Sequence, residues 1–393
     1  MPNFQITAPG KVILHGEHAV VYKRPAIAAV VGLATKLNFR EQPETKLATF
    51  QLETLNCTLE VQLSEFNDFL AKFRLKFPGE KLDCTAKLLE EVRQQVAEQL
   101  DHVVSTSPQQ QHTQRAFLAI YYLLSGALLS SPQPYMNLQQ GFQVYIDSDL
   151  TIGAGLGSSA SYGAALATAF LILAGHFDLE TYLMPEHQEL ISQWAYESER
   201  VMHGNPSGVD NTVCTHGGML SFRKGQGFTP ITIQKPLNIL LVDSRVNRST
   251  ADIVGNVRHL GETFPKLIDS IWNTCEELVK EAIPLYESFG NSQDDSEKFE
   301  KLERLFQINN DLLKAVGVTH PKLEQIFAIA FKRGFFSKLT GAGAGGYAIV
   351  LLPENYEGNP VYGKLKEELE AAGFGVHATT AGGDGLRVKP LQN

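Results

Sequence analysis

Residues 152–160 read IGAGLGSSA, with glycines at 153, 155 and 157 followed by the serine pair 158–159. The segment falls where strand text, Gly141 to Ile146, gives way to an Ala-rich helix from about Ser158. Without a Cβ, a glycine lets backbone N–H groups approach an anion closely. A helix starting at Ser158 aims its free N–H groups and positive dipole end at the same point. The hydroxyls of Ser158 and Ser159 can reach a phosphate or its Mg²⁺. Gly153, Ala154, Gly155, Leu156, Gly157, Ser158 and Ser159 are therefore read as a cradle for a nucleotide polyphosphate. A plain strand-to-helix turn needs fewer glycines and no serine pair.

Two phosphate-loop architectures are tested and excluded. A Walker A loop ends in Gly-Lys-Ser/Thr, and this segment has no lysine. Gly155-x-Gly157-x-x-Ala160 matches a dinucleotide fingerprint in form. That fingerprint requires a second strand ending in an acid about 20 residues on. Asp178 is near the right distance, but Gly175 to His187 has no strand character. The dinucleotide reading fails on that context.

Working outward, strand text covers Phe4 to Ala8, then a Pro-Gly turn, then Lys11 to Leu14 and Ala26 to Val31. Amphipathic or apolar helices are expected over Lys87 to Gln99, Ala116 to Leu129 and Glu186 to Met202. The Gln-rich stretch Ser105 to Gln114 is expected as a surface loop. A strand at Leu237 to Val242 restarts the pattern. Two long helices follow over residues 250–290, then an acidic loop Phe289 to Glu297, then helical text to Arg333. Ser337 to Leu339, Tyr347 to Leu352 and Val376 to Thr379 read as strands, and Tyr362 to Ala372 as a helix. Strands and helices mix without strict alternation, which predicts an α+β fold. The expected domains are 1–228, carrying the phosphate loop, and 229–393.

Composition narrows the functions. The chain has 393 residues, with 34 Lys plus Arg against 43 Asp plus Glu, a formal charge of -9. Such a chain is a poor partner for nucleic acid or an anionic membrane. Ala164 to Ala174 is apolar but too short to span a bilayer. The four cysteines contain no Cys-x-x-Cys pair, and MPNFQITAPGK has no signal-peptide run. The expectation is a cytoplasmic protein with free thiols.

Two further segments carry chemistry. Leu339 to Gly346, LTGAGAGG, packs four glycines into six residues ahead of strand text. His203 to Asn211, HGNPSGVDN, offers Asn205 as a helix N-cap, Pro206 at the first helical position and Asp210 in the first turns. Glu197 and Glu199 end the preceding helix. One carboxylate to hold a metal and one to orient or deprotonate a hydroxyl suit Mg²⁺-nucleotide chemistry. Spacing alone leaves equal room for solvated helix-end charges.

The stretch Ala8 to Lys23, APGKVILHGEHAVVYK, supplies a resemblance. With Gly153–Ala160 and Lys338–Gly346 in order behind it, the chain resembles the mevalonate kinases. These lie within the superfamily that holds galactokinases, homoserine kinases and phosphomevalonate kinases. HGNPSGVDN and Val242 to Thr250, VDSRVNRST, are similar to the same family. Galactokinases share Gly16-Glu17-His18 but differ where this chain has Gly10-Lys11-Val12. The resemblance runs from Ala8 to about Gly375 and is weakest over residues 40–115.

It implies a two-domain small-molecule kinase with its active site between the domains, and ATP- and Mg²⁺-dependent phosphorylation of the mevalonate 5-hydroxyl. Asp210 would be the catalytic base and Lys11 the lysine beside it and the γ-phosphate. Ser159 and Glu199 would ligate Mg²⁺. Glu17, His18, Thr250, Gly341 and Ala342 would line the substrate with Lys11 and Asp210. A homodimer and feedback inhibition by isoprenyl diphosphates are also implied. A related kinase for a sugar or phosphomevalonate is the alternative, and a non-catalytic nucleotide sensor a third. Keeping Lys11, Ser159, Glu199 and Asp210 together argues against the sensor. Arg245 and Arg248 fit either an anionic substrate or helix-end solvation. Thr151-Ile152 replaces prolines common in relatives and is expected to loosen the loop. Ala344 interrupts a glycine run, so that position is expected not to need a positive φ.

Overall fold

The computed structural model describes residues 3–78, 86–100, 108–133, 135–204, 206–291 and 294–391. In chain order it contains β1 (Phe4–His15), β2 (Ala26–Gln42), β3 (Leu47–Leu52), β4 (Cys57–Gln62), α1 (Leu63–Lys76), α2 (Ala86–Leu100) and α3 (Pro108–Leu129). Then come β5 (Gly141–Ser148), α4 (Ser158–Leu173), α5 (Pro185–His203), α6 (Val209–His216), β6 (Met219–Arg223), β7 (Gly227–Ile231) and β8 (Leu237–Asp243). The rest is α7 (Thr250–Thr263), α8 (Pro265–Ser288), α9 (Ser296–Ala315), α10 (Pro321–Lys332), β9 (Ser337–Leu339), β10 (Tyr347–Leu351), α11 (Pro360–Ala371), β11 (Gly375–Ala381) and β12 (Arg387–Pro390).

Among the described residues the strands join into one sheet along the path β4-β3-β5-β2-β11-β8-β10-β9. The long β2 is its hinge element. Its second half pairs antiparallel with β5 (Thr35↔Ser148 through Gln42↔Gly141), its first half with β6, and Val31 meets Ala381 of β11. β1 runs antiparallel along β2, and β12 returns from the chain end to pair with β1. Residue 228, the expected domain limit, lies within β7, which pairs with β6.

Alternation explains how one sheet serves separate cores. Successive side chains of a strand point to opposite faces. In β8 and β10, Ile239, Leu241, Ile349 and Leu351 pack with α8 and α9. Leu240, Val242, Ala348 and Val350 of the same strands pack with α7, α10 and α11. Both faces are covered, so these strands read as unbroken apolar runs. In the first half, β1 to β5 alternate against α1 to α5. Covering a Leu or Phe there is worth roughly 1.5–3 kcal/mol each.

Several expectations change. Pro9-Gly10 makes no turn: β1 continues through it, with a register shift against β2 between Pro9 and Gly10. An irregularity in the ladder tolerates the donor that proline lacks. Residues 108–114 of the expected Gln-rich loop form the first turns of α3, while Ser105 to Ser107 lie outside the described residues. Gly79 and Cys84 lie outside them too; Cys57, Cys214 and Cys275 are free thiols, the last two buried. The strands β3, β4, β6, β7 and β12 and the helix α1 had no counterpart in the sequence reading. No helix among the described residues is long and apolar enough to cross a membrane.

Candidate active site

The phosphate loop joins β5 to α4, and α4 starts at Ser158 with Gly157 in the left-handed region (φ +72°) at its N-cap. Three successive carbonyls of the loop accept from Arg248 and Lys11. Arg248 Nη2 donates to Ala154 O at 3.1 Å, Lys11 Nζ to Gly155 O at 3.4 Å, and the Lys11 backbone N–H to Leu156 O at 2.8 Å. In a trans peptide the C=O and the following N–H point in opposite directions, and no peptide here is cis. The N–H groups of Gly155, Leu156 and Gly157 are therefore turned away from these donors. They and the N–H groups of Ser158 and Ser159 have no partner among the described residues. Five successive amides without a partner at a helix N-terminus are suited to an anion. The side chains of Ala154 and Leu156 are buried in the core that α8 and α9 cover, which anchors the loop from behind.

Lys11 is buried on β1, and its Nζ is 3.3 Å from Asp210 Oδ2. Asp210 sits in the first turn of α6, with 27% of its side chain exposed, so this pair faces an open space. Asn205, the expected cap, lies outside the described residues. α6 begins at Val209 after Gly208 (φ +84°), and Pro206 precedes the helix instead of opening it.

Glu197 and Glu199 separate, as residues two apart on a helix do. Glu197 bonds Arg200 at the surface (2.9 Å). Glu199 is buried and accepts from Ser159 Oγ at 3.3 Å. Burial first, and the Asp210 charge second, push the Glu199 carboxyl up to about 8, against the pull of Lys11 and Ser159. Its charged form is disfavoured there unless a cation comes close.

His18 and Glu17 diverge as well. His18 adopts φ +60° and its Nε2 lies 2.9 Å from Ala342 O, so the first motif touches the third glycine loop. Burial lowers its pKa, against the bond to Ala342 and the Glu17 charge. A carbonyl oxygen can only accept, so Nε2 is the donor. Glu17 turns inward, to an ion pair with Lys338 that is wholly out of solvent. Asn309 Nδ2 donates to the other Glu17 oxygen at 3.0 Å. Burial lowers the Lys338 pKa and Glu17 opposes that.

Gly341 has φ +72°, and Ala342 presents its carbonyl to His18. Ala344 adopts φ +51°, contrary to expectation, while its N–H donates to Val318 O at 2.7 Å. The positive φ is imposed by the loop path and not reserved to glycine. Thr250 opens α7, exposed, its hydroxyl without a partner among the described residues; the cap of that helix is Ser249, which accepts from Asp252 N. Thr151, expected to loosen the phosphate loop, is held by Tyr347 OH at 2.8 Å. Arg248, left open by the sequence, proves central, while Arg245 is exposed. An arginine two residues before a helix start gave no signal of this. A separate open cleft of about 450 Å³ lies between α2, α3 and α5, lined by Arg93, Val96, Arg115, Leu118, Val201 and Met202 among others.

Comparison with known proteins gives the family. Residues 119–218 match the family model for the GHMP kinases N terminal domain, and residues 287–371 the one for GHMP kinases C terminal. The mevalonate kinase of Arabidopsis thaliana is 31% identical, over 97% of this chain and 98% of its own length. That of Homo sapiens is 33% identical, over 98% of this chain and 94% of its own. The crystal structure of the Methanococcus jannaschii mevalonate kinase shares the fold, with a TM-score of 0.66 at 24% identity over 96% of this chain and 98% of that one. The chain belongs to the mevalonate kinases, ATP-dependent phosphotransferases that act on an alcohol.

Proposed function

We propose that this chain transfers the γ-phosphoryl group of ATP to the 5-hydroxyl of mevalonate, with residues 1–228 supplying the phosphate loop and 229–393 the third glycine loop. The observation that carries the reading is the Lys11–Asp210 pair beside five unpartnered amides. Phosphoryl transfer asks a protein mainly for positioning and charge neutralisation. The amides of Gly155 to Ser159 hold the phosphate oxygens. Asp210 accepts the proton of the attacking hydroxyl, whose oxygen bonds to phosphorus as the bond to the ADP oxygen breaks. Lys11, in reach of Asp210 and the loop, balances the charge of both. His18 and Ala342 close the acceptor side.

The residues present fit Mg²⁺. Ser159 and the buried Glu199 are hard oxygen donors already in contact, and Mg²⁺ takes one or two protein oxygens alongside phosphates and water. Among the described residues no three His, Cys, Asp or Glu side chains form a metal cage. Ser159 and Glu199 would therefore hold the ion together with the nucleotide. Bound there, Mg²⁺ would neutralise phosphate charge. Family resemblance extends the proposal to a cytoplasmic homodimer and to inhibition by isoprenyl diphosphates, anions of the kind these amides suit.

The test is ADP release by the purified protein with MgATP and a panel of mevalonate, galactose, homoserine and phosphomevalonate. Mevalonate should dominate. Preference for galactose or phosphomevalonate would replace the substrate assignment, and ATP binding without ADP release on any alcohol would favour a sensor.

A further inference from the structure

The two glycine loops come from distant parts of the chain, yet one side chain fills the space between them. Arg248 Nη1 donates to Gly343 O at 2.8 Å and Nη2 to Ala154 O at 3.1 Å. A Cβ at Gly346 would lie 2.9 Å from the guanidinium carbon, and one at Gly341 3.2 Å from Nη2. A Cβ at Gly155 would collide with Nη2 outright. Gly155 and Gly346 thus make room for an arginine and not for a ligand, whereas Gly153 faces open space. Arg248 Nε is buried without a partner, and no carboxylate pairs with the guanidinium among the described residues. Its role is set by the two carbonyls.

We infer that Arg248 is the positioning residue of the nucleotide site: a latch by which the third glycine loop fixes the peptide orientation of the phosphate loop. The physical step is the Ala154–Gly155 peptide. With its carbonyl held by Arg248, its N–H must point away from the guanidinium. Released, that peptide can rotate and turn a carbonyl toward the phosphates, replacing attraction with repulsion. Lysine cannot do the same work, because one ammonium lacks the fork that spans two acceptors.

The inference rests on the kinase reading above, and the experiment separates the two. MgATP affinity is measured without acceptor, alongside steady-state KM for both substrates and thermal unfolding, for wild type, Arg248→Ala and Arg248→Lys. Wild type that fails to bind MgATP removes the kinase reading itself. With wild type binding, Arg248→Ala should weaken MgATP about 10- to 100-fold, and Arg248→Lys should recover part of the loss. KM for mevalonate at saturating ATP should stay within about twofold, since uniform binding of the acceptor is untouched. Unchanged MgATP affinity in Arg248→Ala overturns the latch. So does a rise confined to the KM for mevalonate, which would make Arg248 an anchor for the acceptor's carboxylate. Should Arg248→Ala not fold, Arg248→Gln decides. Its amide can donate to one of the two carbonyls but does not span both and should weaken MgATP in the same way; wild-type affinity there overturns the latch.

Discussion

Two lysine–carboxylate pairs sit within the same motifs and have opposite surroundings. Lys11 and Asp210 meet at 3.3 Å with Asp210 27% exposed, beside the phosphate loop. Lys338 and Glu17 meet with both side chains at 0% exposure, surrounded by Asn309, Phe306 and His15. A half-open pair keeps one charge free to act on a ligand. A fully buried pair has spent its charges on each other, because an unpaired ion there is costly. Adjacent motif residues therefore divide the labour: His18 faces the third loop and Glu17 pins the first motif to the strand that leads into that loop.

The largest effect expected from breaking this contrast is on the buried side. Lys338→Met leaves the Glu17 charge unpaired and should cost about 3–5 kcal/mol of stability, read as a lower midpoint in denaturant unfolding. Adding Glu17→Gln should return most of that loss, since an uncharged pair carries no unpaired ion; a double variant as unstable as the single would show that the two residues are not coupled. On the open side, Glu199→Gln should lower kcat on the order of 100-fold. The same variant should raise the thermal midpoint in magnesium-free buffer, because it removes a carboxyl whose ionisation is opposed first by burial and then by Asp210. A lower midpoint would contradict the role given to Glu199.

Smaller effects test the flanking segments. Ser249→Ala should destabilise by about 1 kcal/mol through loss of the α7 cap, whereas Thr250→Ala should leave stability unchanged. Ala344→Gly should change stability by less than about 1 kcal/mol. Relief at φ +51° and the greater freedom of an unfolded glycine nearly cancel there.

The same contrast marks what could be read from the chain. The loop after β5 and the helix start at Ser158 were legible, because these glycines and serines have a local reason to be where they are, although β5 itself runs on to Ser148 past the expected Ile146. Lys11, Asp210, Ser159 and Glu199 were legible through the motifs that carry them. The Glu17–Lys338 pair spans 321 positions and the Arg248–Gly343 bond 95, and neither leaves a local trace. The role of Arg248 stayed open for a further reason: its partners are backbone carbonyls, which every residue possesses. Pro9-Gly10 misled because proline reads as a turn when an irregularity in a long strand accommodates it equally well. The strands β3 and β4 escaped because short half-polar alternation resembles loop text.

The division between the pairs is tested most directly by turnover of Asp210→Asn with mevalonate and MgATP, measured as ADP release alongside MgATP affinity. The expected result is a kcat lower by about 10²- to 10⁴-fold, with MgATP still bound and the fold intact. Near wild-type turnover in this variant would contradict the assignment of the open pair to the chemistry.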